Sequence, residues 1–389
     1  MNFTVSSSLL SSRLQTISRV INSKNTIPVL DCVLFELEGN KLTLTASDPD
    51  NTLNTSLEVV DCSEDFSFAI SSKILIDSLK EISEQPIRFD VKKETLEITI
   101  YYQNGKYSLV GQNADEYPSA AVLGESAVAI SVPTKVLSSG ISCSLFAAAD
   151  DEVRPVMCGV YFDFAPDSIT LVASDGHKLV RCRDYSVTGA EKSAFILPKK
   201  PATLLKNLLG KDDQEEVAVE FDGRFAIFDM GEYKLVCRLF DGRYPNYNSV
   251  IPQNNPHKLT VDRVALISTL RRVAIFSSQV SLIKLHLEDN KVVISAQDTD
   301  FSTSAEESIA CSYDGASMNI GFRASFLIDI LNNTPGQDVV IELADPSRAG
   351  VIVPAEQVDK QELLMLLMPM YSKREHGILY DSGDHISYK

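Results

Sequence analysis

The stretch Leu42-Thr-Leu-Thr-Ala-Ser-Asp48 decides the fold, because the chain contains three versions of it. It returns as Ile169-Thr-Leu-Val-Ala-Ser-Asp175 and as Val292-Val-Ile-Ser-Ala-Gln-Asp298, at offsets of 127 and 123 residues. The first version alternates Leu and Thr with a period of two, which is the pattern of a half-buried strand. A repeat of about 125 residues predicts three homologous domains.

Two further landmarks return at the same spacing, and agreement between unrelated landmarks supports a repeat. Lys73-Ile-Leu-Ile-Asp-Ser-Leu79 returns 252 residues later as Ser325-Phe-Leu-Ile-Asp-Ile-Leu331. Gly105-Lys-Tyr-Ser-Leu-Val110 returns as Gly231-Glu-Tyr-Lys-Leu-Val236. With joints placed at Pro-containing stretches, these landmarks predict three domains and a short final segment, at residues 1–124, 125–253, 254–370 and 371–389.

The order of elements within one repeat predicts the fold class. In the first repeat an apolar stripe at Leu10, Leu14, Ile17 and Ile21 has the spacing of an amphipathic helix. A second helix is predicted near residues 73–82, and the runs between and after the helices predict about eight strands. Two helices and about eight antiparallel strands per repeat make an α+β fold, with the helices on one side of the sheet.

Composition and cysteine usage narrow the class of protein. Apolar residues make up 44% and charged residues 23% of the chain, which is typical of a globular protein and excludes a disordered or fibrous one. The seven cysteines are scattered without a C-x-x-C pair, which argues against a zinc site or a disulfide framework and favours a reducing cytoplasm. No apolar run approaches the ~18 residues of a membrane-spanning helix, and the start of the chain lacks the pattern of a signal peptide.

The chain is acidic, with 36 Lys and Arg against 53 Asp and Glu and a formal charge of −17, but its positive charge is unevenly distributed. The predicted helices carry 13 basic residues and four acidic ones, a net charge of +9, which leaves −26 on the rest of the chain. The first helix contains three basic residues and no acidic one. The six predicted helices are Ser7–Asn25, Ser71–Ser83, Pro133–Ala149, Pro198–Gly210, Val261–Gln279 and Arg323–Asn333.

Two explanations of this charge distribution compete. Exposed helix faces are ordinarily charged, but that explanation predicts mixed signs. A basic helical surface that binds a polyanion, with a negative exterior that repels the same polyanion, accounts better for the segregation. If two chains closed head to tail, twelve helices packed at ~9 Å would surround a hole of about 23 Å. Double-stranded DNA, on the order of 20 Å across, fits such a hole.

Six motifs follow one another along the chain: Met1-Asn-Phe-Thr-Val5, Thr26-Ile-Pro-Val-Leu30, Val153-Arg-Pro-Val-Met157, Ala173-Ser-Asp-Gly-His-Lys-Leu179, Asp241-Gly-Arg-Tyr-Pro245 and Met368-Pro-Met370. In this order they resemble the bacterial DNA polymerase III beta subunit family, the sliding clamps. The resemblance covers residues 1–370. It implies the DNA clamp fold and a homodimeric ring that is loaded onto primed double-stranded DNA and tethers the replicative polymerase. It implies topological binding without catalysis, and neither a cofactor nor a metal.

The resemblance also implies which side chains contact DNA. Contacts to the phosphate backbone hold the ring without reading bases, since base readout would pin it to one site. Long Lys and Arg side chains on helices supply such contacts. The matching positions are Lys24, Arg154, Lys199 and Lys200, with Arg13, Arg19, Arg271 and Arg272 as further contributors.

A second implied site is an apolar cleft between the second and third domains, which takes short peptide motifs from partner proteins. The implied partners are the replicative polymerase alpha subunit, the clamp loader delta subunit and other proteins with a clamp-binding motif. Lys178 and Ser249 stand where the family often has Arg, and both changes weaken bidentate capture of a peptide carboxylate. The implied lining is Met157, Ser174, Gly176, His177, Lys178, Leu179, Pro245, Ser249, Val250, Leu366, Met368, Pro369 and Met370.

Ring closure in the family joins the first domain of one chain to the third domain of the next. The matching positions are an edge strand at Tyr107 and Leu109 and a helix end at Ile275 and Phe276. Apolar residues at such an edge favour burial against a partner.

Two other functions compete with a clamp. Asp175 beside His177 could be half of a catalytic dyad, but Asp-Gly after a strand is typical of a turn, and the versions at Asp48 and Asp298 lack the His. A β-repeat module for adhesion or carbohydrate binding is disfavoured by the missing signal peptide, the scattered cysteines and the helix charge. We therefore expect a non-catalytic cytoplasmic protein that binds DNA and no membrane.

The final segment, residues 371–389, departs from the family, whose members end near the Met-Pro-Met motif. It is polar and is predicted to be disordered. Two explanations stay open: an extension that partly covers the cleft, and an oddity of cloning or of the gene end.

Overall fold

The computed structural model describes residues 1–151, 153–189, 191–210, 214–278 and 281–370. These residues form six α-helices and 26 β-strands, and the strands pair antiparallel in four sheets. Each repeat contains two helices and eight or nine strands, which confirms the predicted α+β class. The prediction of disorder for residues 371–389 lies outside the described residues.

The elements are numbered in chain order. The first repeat contains β1 (Asn2–Ser6), α1 (Ser7–Ile17), β2 (Cys32–Glu38), β3 (Lys41–Ser47), β4 (Asn51–Glu58), β5 (Phe66–Ser71), α2 (Ser72–Leu79), β6 (Pro86–Val91), β7 (Glu97–Tyr102), β8 (Gly105–Val110) and β9 (Gln112–Asn113). The second contains β10 (Val128–Pro133), α3 (Thr134–Ser144), β11 (Gly159–Ala165), β12 (Ser168–Ser174), β13 (Lys178–Asp184), β14 (Ser193–Pro198), α4 (Lys199–Leu208), β15 (Glu216–Phe221), β16 (Phe225–Asp229) and β17 (Tyr233–Arg238). The third contains β18 (His257–Asp262), α5 (Arg263–Ala274), β19 (Leu282–Glu288), β20 (Lys291–Asp298), β21 (Thr303–Ala310), β22 (Ser312–Tyr313), β23 (Met318–Arg323), α6 (Ala324–Asn332), β24 (Asp338–Leu343), β25 (Gly350–Pro354) and β26 (Gln361–Leu367).

The chain divides into two compact units, and the middle repeat is shared between them. Unit 1 comprises Met1–Lys135 and Thr203–Leu239. Its sheets have the strand orders β1-β6-β7-β8 and β10-β15-β16-β17-β4-β3-β2-β5-β9. The larger sheet crosses from the middle repeat to the first where β17 pairs with β4, with Leu235 opposite Leu53. Backbone hydrogen bonds therefore join these two repeats within one sheet.

Unit 2 comprises Val136–Ala202 and the described residues from Phe240 onward. Its sheets have the strand orders β14-β11-β12-β13-β26-β25-β24-β18-β22 and β21-β20-β19-β23. The larger sheet crosses from the middle repeat to the third where β13 pairs with β26, with Val180 opposite Met365. This junction positions the candidate peptide-binding residues, because β13 begins and β26 ends beside them.

Helix α1 shows how the local sequence builds one element. The Ser6 side chain caps the helix by accepting a hydrogen bond from the Leu9 amide, and the predicted stripe is buried at Leu10, Leu14 and Ile17. The helix ends at Ile17 and continues only as a 3₁₀ turn over Ser18–Val20. Residues 16–23 are rich in β-branched, Ser and Asn side chains, which favour other conformations over the helix.

The predicted end of α1 at Asn25 was therefore wrong, and other helices are also shorter than predicted. Arg19 lies in the 3₁₀ turn and Lys24 lies beyond it. The observed helices contain nine Lys and Arg residues and two Asp residues. Their net charge is +7, whereas the net charge of the whole chain is −17. The segregation of positive charge onto the helices persists with the corrected ends.

Candidate functional site

The turn that follows the repeated strand has the same construction in all three repeats. Asp48, Asp175 and Asp298 each use carboxylate Oδ1 to accept backbone amide hydrogen bonds two and three residues further on. The distances from the third residue are 2.7 Å, 2.9 Å and 3.2 Å, for Asn51, Lys178 and Phe301 respectively. The carboxylate of Asp175 thus orders a turn, as do its two counterparts, and this confirms the turn interpretation of Asp-Gly-His.

Lys178 is buried within this turn region, with only 5% of its surface exposed. Its Nζ lies 2.5 Å from Asp175 Oδ2 and 4.2 Å from the centroid of the Phe326 ring. The guanidinium carbon of Arg323 lies 4.8 Å from the centroid of the same ring. Phe326 therefore contacts two cations, and the ammonium of Lys178 is already paired with a carboxylate and an aromatic face.

The Met-Pro-Met segment is held on both sides by backbone hydrogen bonds. The Met368 amide donates to the His177 carbonyl at 2.9 Å, and the Met370 amide donates to the Gly321 carbonyl at 2.8 Å. The His177 ring lies 5.7 Å from Phe326, between their centroids. The turn at residues 174–178 and the chain at residues 368–370, both part of the lining that the resemblance implies, are thereby brought together.

An apolar cluster underlies this region and includes predicted lining residues from three chain segments. Leu179 and Leu366 are buried in it, while Val250 and Met368 pack against it and are only partly buried. The other predicted lining residues vary in exposure. Met157, Ser174, Gly176 and Pro369 are buried, His177, Pro245 and Met370 are partly buried, and Ser249 is exposed.

Three tyrosines belong to this cluster and were missed by the sequence analysis. Tyr161 and Tyr244 stack with ring centroids 4.7 Å apart, and Tyr247 meets Tyr161 edge-on. The Tyr247 hydroxyl donates to Asp163 Oδ2 at 2.8 Å. Burial, and then the bond to Asp163, raise the pKa of Tyr247 to about 12. Tyr244 and Tyr247 lie on either side of Pro245 in the sequence. The aromatic residues around this Tyr-Pro motif were therefore the signal that could have predicted the cluster.

Phe326 was also missed, although a signal for it exists in the repeat. The repeated helix segment places Ile74 of α2 at the position of Phe326 in α6. Ile74 is 56% exposed, so this position points away from the core in the first repeat. An aromatic residue at an exposed repeat position indicates a contact outside the helix.

Arg154 and Lys199, both predicted to contact DNA, lie in unit 2, where each contacts a different part of the chain. Arg154 Nη2 donates to the Asp175 carbonyl at 3.2 Å. A Cβ added at Gly176, whose φ is +91°, would lie 3.1 Å from both Nη atoms of Arg154. Lys199 Nζ lies 2.5 Å from Asp150 Oδ1, and this hydrogen bond lowers the pKa of Asp150. Lys200 follows at the start of α4.

The remaining predicted DNA contacts in unit 2 lie on the last turn of α5. Arg271 and Arg272 are both exposed, and Arg272 Nη2 lies 2.6 Å from Glu307 Oε2. The hydrogen bond from Arg272 lowers the pKa of Glu307. Ile275 and Phe276 follow directly and are 77% and 40% exposed. Basic and apolar side chains are thus adjacent at this helix end.

In unit 1 the three predicted DNA contacts differ in their surroundings. Arg13 pairs through both Nη atoms with the carboxylate of Glu232, and its guanidinium carbon lies 5.2 Å from the Tyr233 ring centroid. Arg19 and Lys24 are exposed. Arg13 therefore ties α1 to the chain just before β17, whereas Arg19 and Lys24 extend into solvent.

Each four-stranded sheet has two terminal strands, and among the described residues one of the two has no backbone pairing along its outer edge. In unit 1 this strand is β8, where Tyr107 and Leu109 are partly buried and the Tyr107 ring lies 5.0 Å from Tyr102, between centroids. In unit 2 the corresponding strand is β21. Such edges present backbone N–H and C=O groups that can pair with another strand.

The described part of the chain contains neither a candidate metal-binding group nor a candidate membrane-spanning helix. No three or more His, Cys, Asp and Glu side chains there are grouped so as to hold a metal ion. Among the same residues, no helix is both long and apolar enough to cross a membrane.

Comparison with known proteins assigns similarity to nearly the whole chain. Family models of the DNA polymerase III beta subunit match in order: the N-terminal domain at residues 1–121, the central domain at 131–246 and the C-terminal domain at 248–371. The beta sliding clamp of Pseudomonas aeruginosa is 26% identical over 372 residues, which cover 95% of this chain and 100% of that protein. The beta sliding clamp of Synechococcus elongatus is 28% identical over 371 residues, which cover 93% of this chain and 96% of that protein.

Solved structures agree with these sequence matches. The crystal structure of a DnaN sliding clamp from Pseudomonas aeruginosa bound to griselimycin aligns with a TM-score of 0.90 at 26% identity, over 96% of this chain and 100% of that one. The beta subunit of the Streptococcus pyogenes DNA polymerase aligns with a TM-score of 0.90 at 20% identity, over 96% of this chain and 100% of that one. At 20% identity, the similarity to the Streptococcus pyogenes structure shows a shared fold and no more.

Proposed function

This chain belongs to the DNA polymerase III beta subunit family, and from that premise we propose how its residues perform the work of a processivity clamp. Two chains form a ring around double-stranded DNA, and the ring tethers the replicative polymerase to its template. The observation that carries this proposal is that all three domains of the family match in order along the chain. The proposed domain boundaries are residues 1–124, 125–253 and 254–370.

We propose that the DNA contacts come from the helices and the loops that follow them. The supporting observation is the net charge of +7 on the six helices of a chain whose net charge is −17. Positive helices attract phosphates, and the acidic remainder repels DNA from other surfaces. Arg19, Lys24 and Arg271 are exposed and supply contacts that carry no base preference.

Ring closure is proposed to join β8 of one chain to β21 of its partner. Both strands lie at the end of a four-stranded sheet, and an exposed edge can be extended by antiparallel pairing. Tyr107 and Leu109 on β8, with the exposed Ile275 and Phe276, supply apolar surface to bury. Each joint uses the first repeat of one chain and the third of the other, so two joints close the ring.

The cluster around Leu179, Val250, Leu366 and Met368 is the proposed site for partner peptides. It combines a buried apolar floor with Met side chains that are partly exposed, which suits several different apolar anchors. The proposed partners are the polymerase alpha subunit, the clamp loader delta subunit and other proteins with a clamp-binding motif.

The proposed role is non-catalytic and cytoplasmic. Asp175, the one acid beside His177 in the turn, is occupied with ordering that turn and pairing with Lys178. The seven cysteines are scattered along the chain without a C-x-x-C pair, a pattern that favours a reducing compartment.

Retention on DNA tests this function directly. The chain is loaded by a clamp loader onto nicked circular DNA, and half of the sample is then cut with a restriction enzyme. We expect the chain to remain on the circle through gel filtration at raised salt and to be lost from the linear product, because a ring slides off a free end. Equal retention on both forms would contradict encirclement.

A further inference from the structure

Lys178 lies where a cation could bind a carboxylate of a bound peptide, but the surroundings of its side chain argue against that role. Its side chain is 6% exposed, and that of Asp175 is 15% exposed. A peptide carboxylate could reach the ammonium only by competing with Asp175 at 2.5 Å. That exchange would leave a largely buried carboxylate without its partner, which is energetically costly.

The same ammonium lies over Phe326, and this contact crosses between repeats. Lys178 begins β13 in the middle repeat, and Phe326 is in α6 of the third. The Lys178 carbonyl accepts a hydrogen bond from Ser174 Oγ at 2.8 Å, so the backbone of the turn is tied at the same residue. A fixed turn that holds Phe326 through a cation–π contact sets the position of that ring beside His177.

We propose that Lys178 is a positioning residue of the peptide site, which holds Phe326 against the Asp175 turn and does not bind a peptide carboxylate. This inference rests on the proposed peptide-binding function and specifies its chemistry. Lys178 supports the binding of apolar anchors to the same extent whether or not the peptide also carries an acid.

Two probe peptides that differ in one charge distinguish positioning from charge recognition. The probes are fluorescein-labelled Ser-Leu-Asp-Leu-Phe and Ser-Leu-Asn-Leu-Phe, and their dissociation constants for the full chain are measured by fluorescence anisotropy. We expect Lys178→Met to weaken both probes by about tenfold, with the ratio of the two dissociation constants unchanged within about twofold. Lys178→Arg, which keeps the charge and the contact with the ring, restores most of the affinity.

Phe326→Leu provides a second variant that leaves the ion pair intact. If Lys178 acts through Phe326, the double variant Lys178→Met with Phe326→Leu loses little more affinity than either single variant. Lys258→Met is the matched control, since Lys258 is 57% exposed on β18 and pairs with Glu342 in the same unit. It is expected to leave both probes unaffected, and thermal unfolding verifies that each variant is folded.

If Lys178→Met weakened the binding of the Asp-containing probe but not of the Asn-containing probe, the inference would be overturned, because Lys178 would then bind the peptide carboxylate. Unchanged binding of both probes, or fully additive losses in the double variant, would overturn it as well. Failure of either probe to bind the unmodified chain would overturn the peptide site together with this inference. Retention on circular DNA would still report on the clamp function independently.

Discussion

Arg13 and Arg19 lie on neighbouring turns of one segment but have different surroundings. The Arg13 side chain is 12% exposed, pairs with Glu232 and lies over Tyr233, and the hydrogen bond to Glu232 raises the pKa of its guanidinium. Arg19 is exposed. The charge of Arg13 is therefore used largely inside unit 1, whereas that of Arg19 is available to a phosphate.

Arg13→Met is expected to lower the free energy of unfolding by about 1–2 kcal/mol, because it removes the charge-assisted hydrogen bonds to Glu232 and the cation–π contact with Tyr233. Arg19→Met should leave the unfolding midpoint unchanged and weaken DNA retention at raised salt. Urea denaturation and retention on circular DNA measure the two effects. Equal stability of the two variants would contradict the distinction between them.

Gly176 carries a separate prediction at the residue scale. Its φ of +91° disfavours any side chain, and a Cβ would also press on the Arg154 guanidinium at 3.1 Å. Gly189 is the matched control, since its φ is +82° but a Cβ there meets nothing within 4 Å. Gly176→Ala should reduce peptide affinity several-fold, whereas Gly189→Ala carries only the backbone strain of roughly 1 kcal/mol. Isothermal titration with a peptide probe tests this, and equal affinities would refute it.

At the scale of elements, the segment Tyr247–Val250 is anchored to β11 by the bond from Tyr247 to Asp163. The raised pKa of Tyr247, about 12 against an ordinary 10.0, means that the folded state holds this proton more tightly than the unfolded state. The protonated Tyr247 hydroxyl therefore makes its full contribution to the free energy of unfolding below pH 10, and this contribution is lost as the pH rises toward 12. Tyr247→Phe should therefore lose less stability than the unmodified chain across that interval, as measured by urea denaturation at pH 9 to 12. A parallel loss in both proteins would contradict this assignment.

The edge strand β8 carries the prediction for ring closure. Leu109→Asp places a charge in the proposed joint with β21 and should raise the dissociation constant of the dimer at least about tenfold, because a buried charge without a partner is costly. Val358→Asp is the control, since Val358 is an apolar residue that is 54% exposed and lies away from both edge strands in the chain. Sedimentation velocity over a concentration series measures the effect. Unchanged association of the Leu109 variant would rule out this joint.

Local signals explain which elements the sequence could predict. The start of α1 was predicted at Ser7, because the preceding strand and the Ser6 cap are local features. The end of α1 was not predicted, because an apolar residue at Ile21 continued the stripe after the backbone had left the helix. At the proposed peptide site, the turn and the Met-Pro-Met segment were expected from the family resemblance. Phe326 was not predicted: the repeat marks it as an aromatic residue at an exposed position, but only the tertiary structure shows that it contacts Lys178.

At the scale of the whole molecule, the sequence repeats three times while the contacts form two units. The middle repeat gives β15, β16 and β17 to the large sheet of unit 1, and β11, β12 and β13 to the large sheet of unit 2. No period in the sequence could have predicted this division, because it depends on which sheet edges pair. Within each unit, one sheet runs across two successive repeats and joins them by backbone hydrogen bonds.

The central claim is that two copies of this chain enclose a duplex, and single-particle imaging of the purified protein tests it most directly. We expect closed two-chain annuli with a central opening of about 23 Å, wide enough for double-stranded DNA. Solitary chains at micromolar concentration, or paired chains without a central opening, would contradict the account.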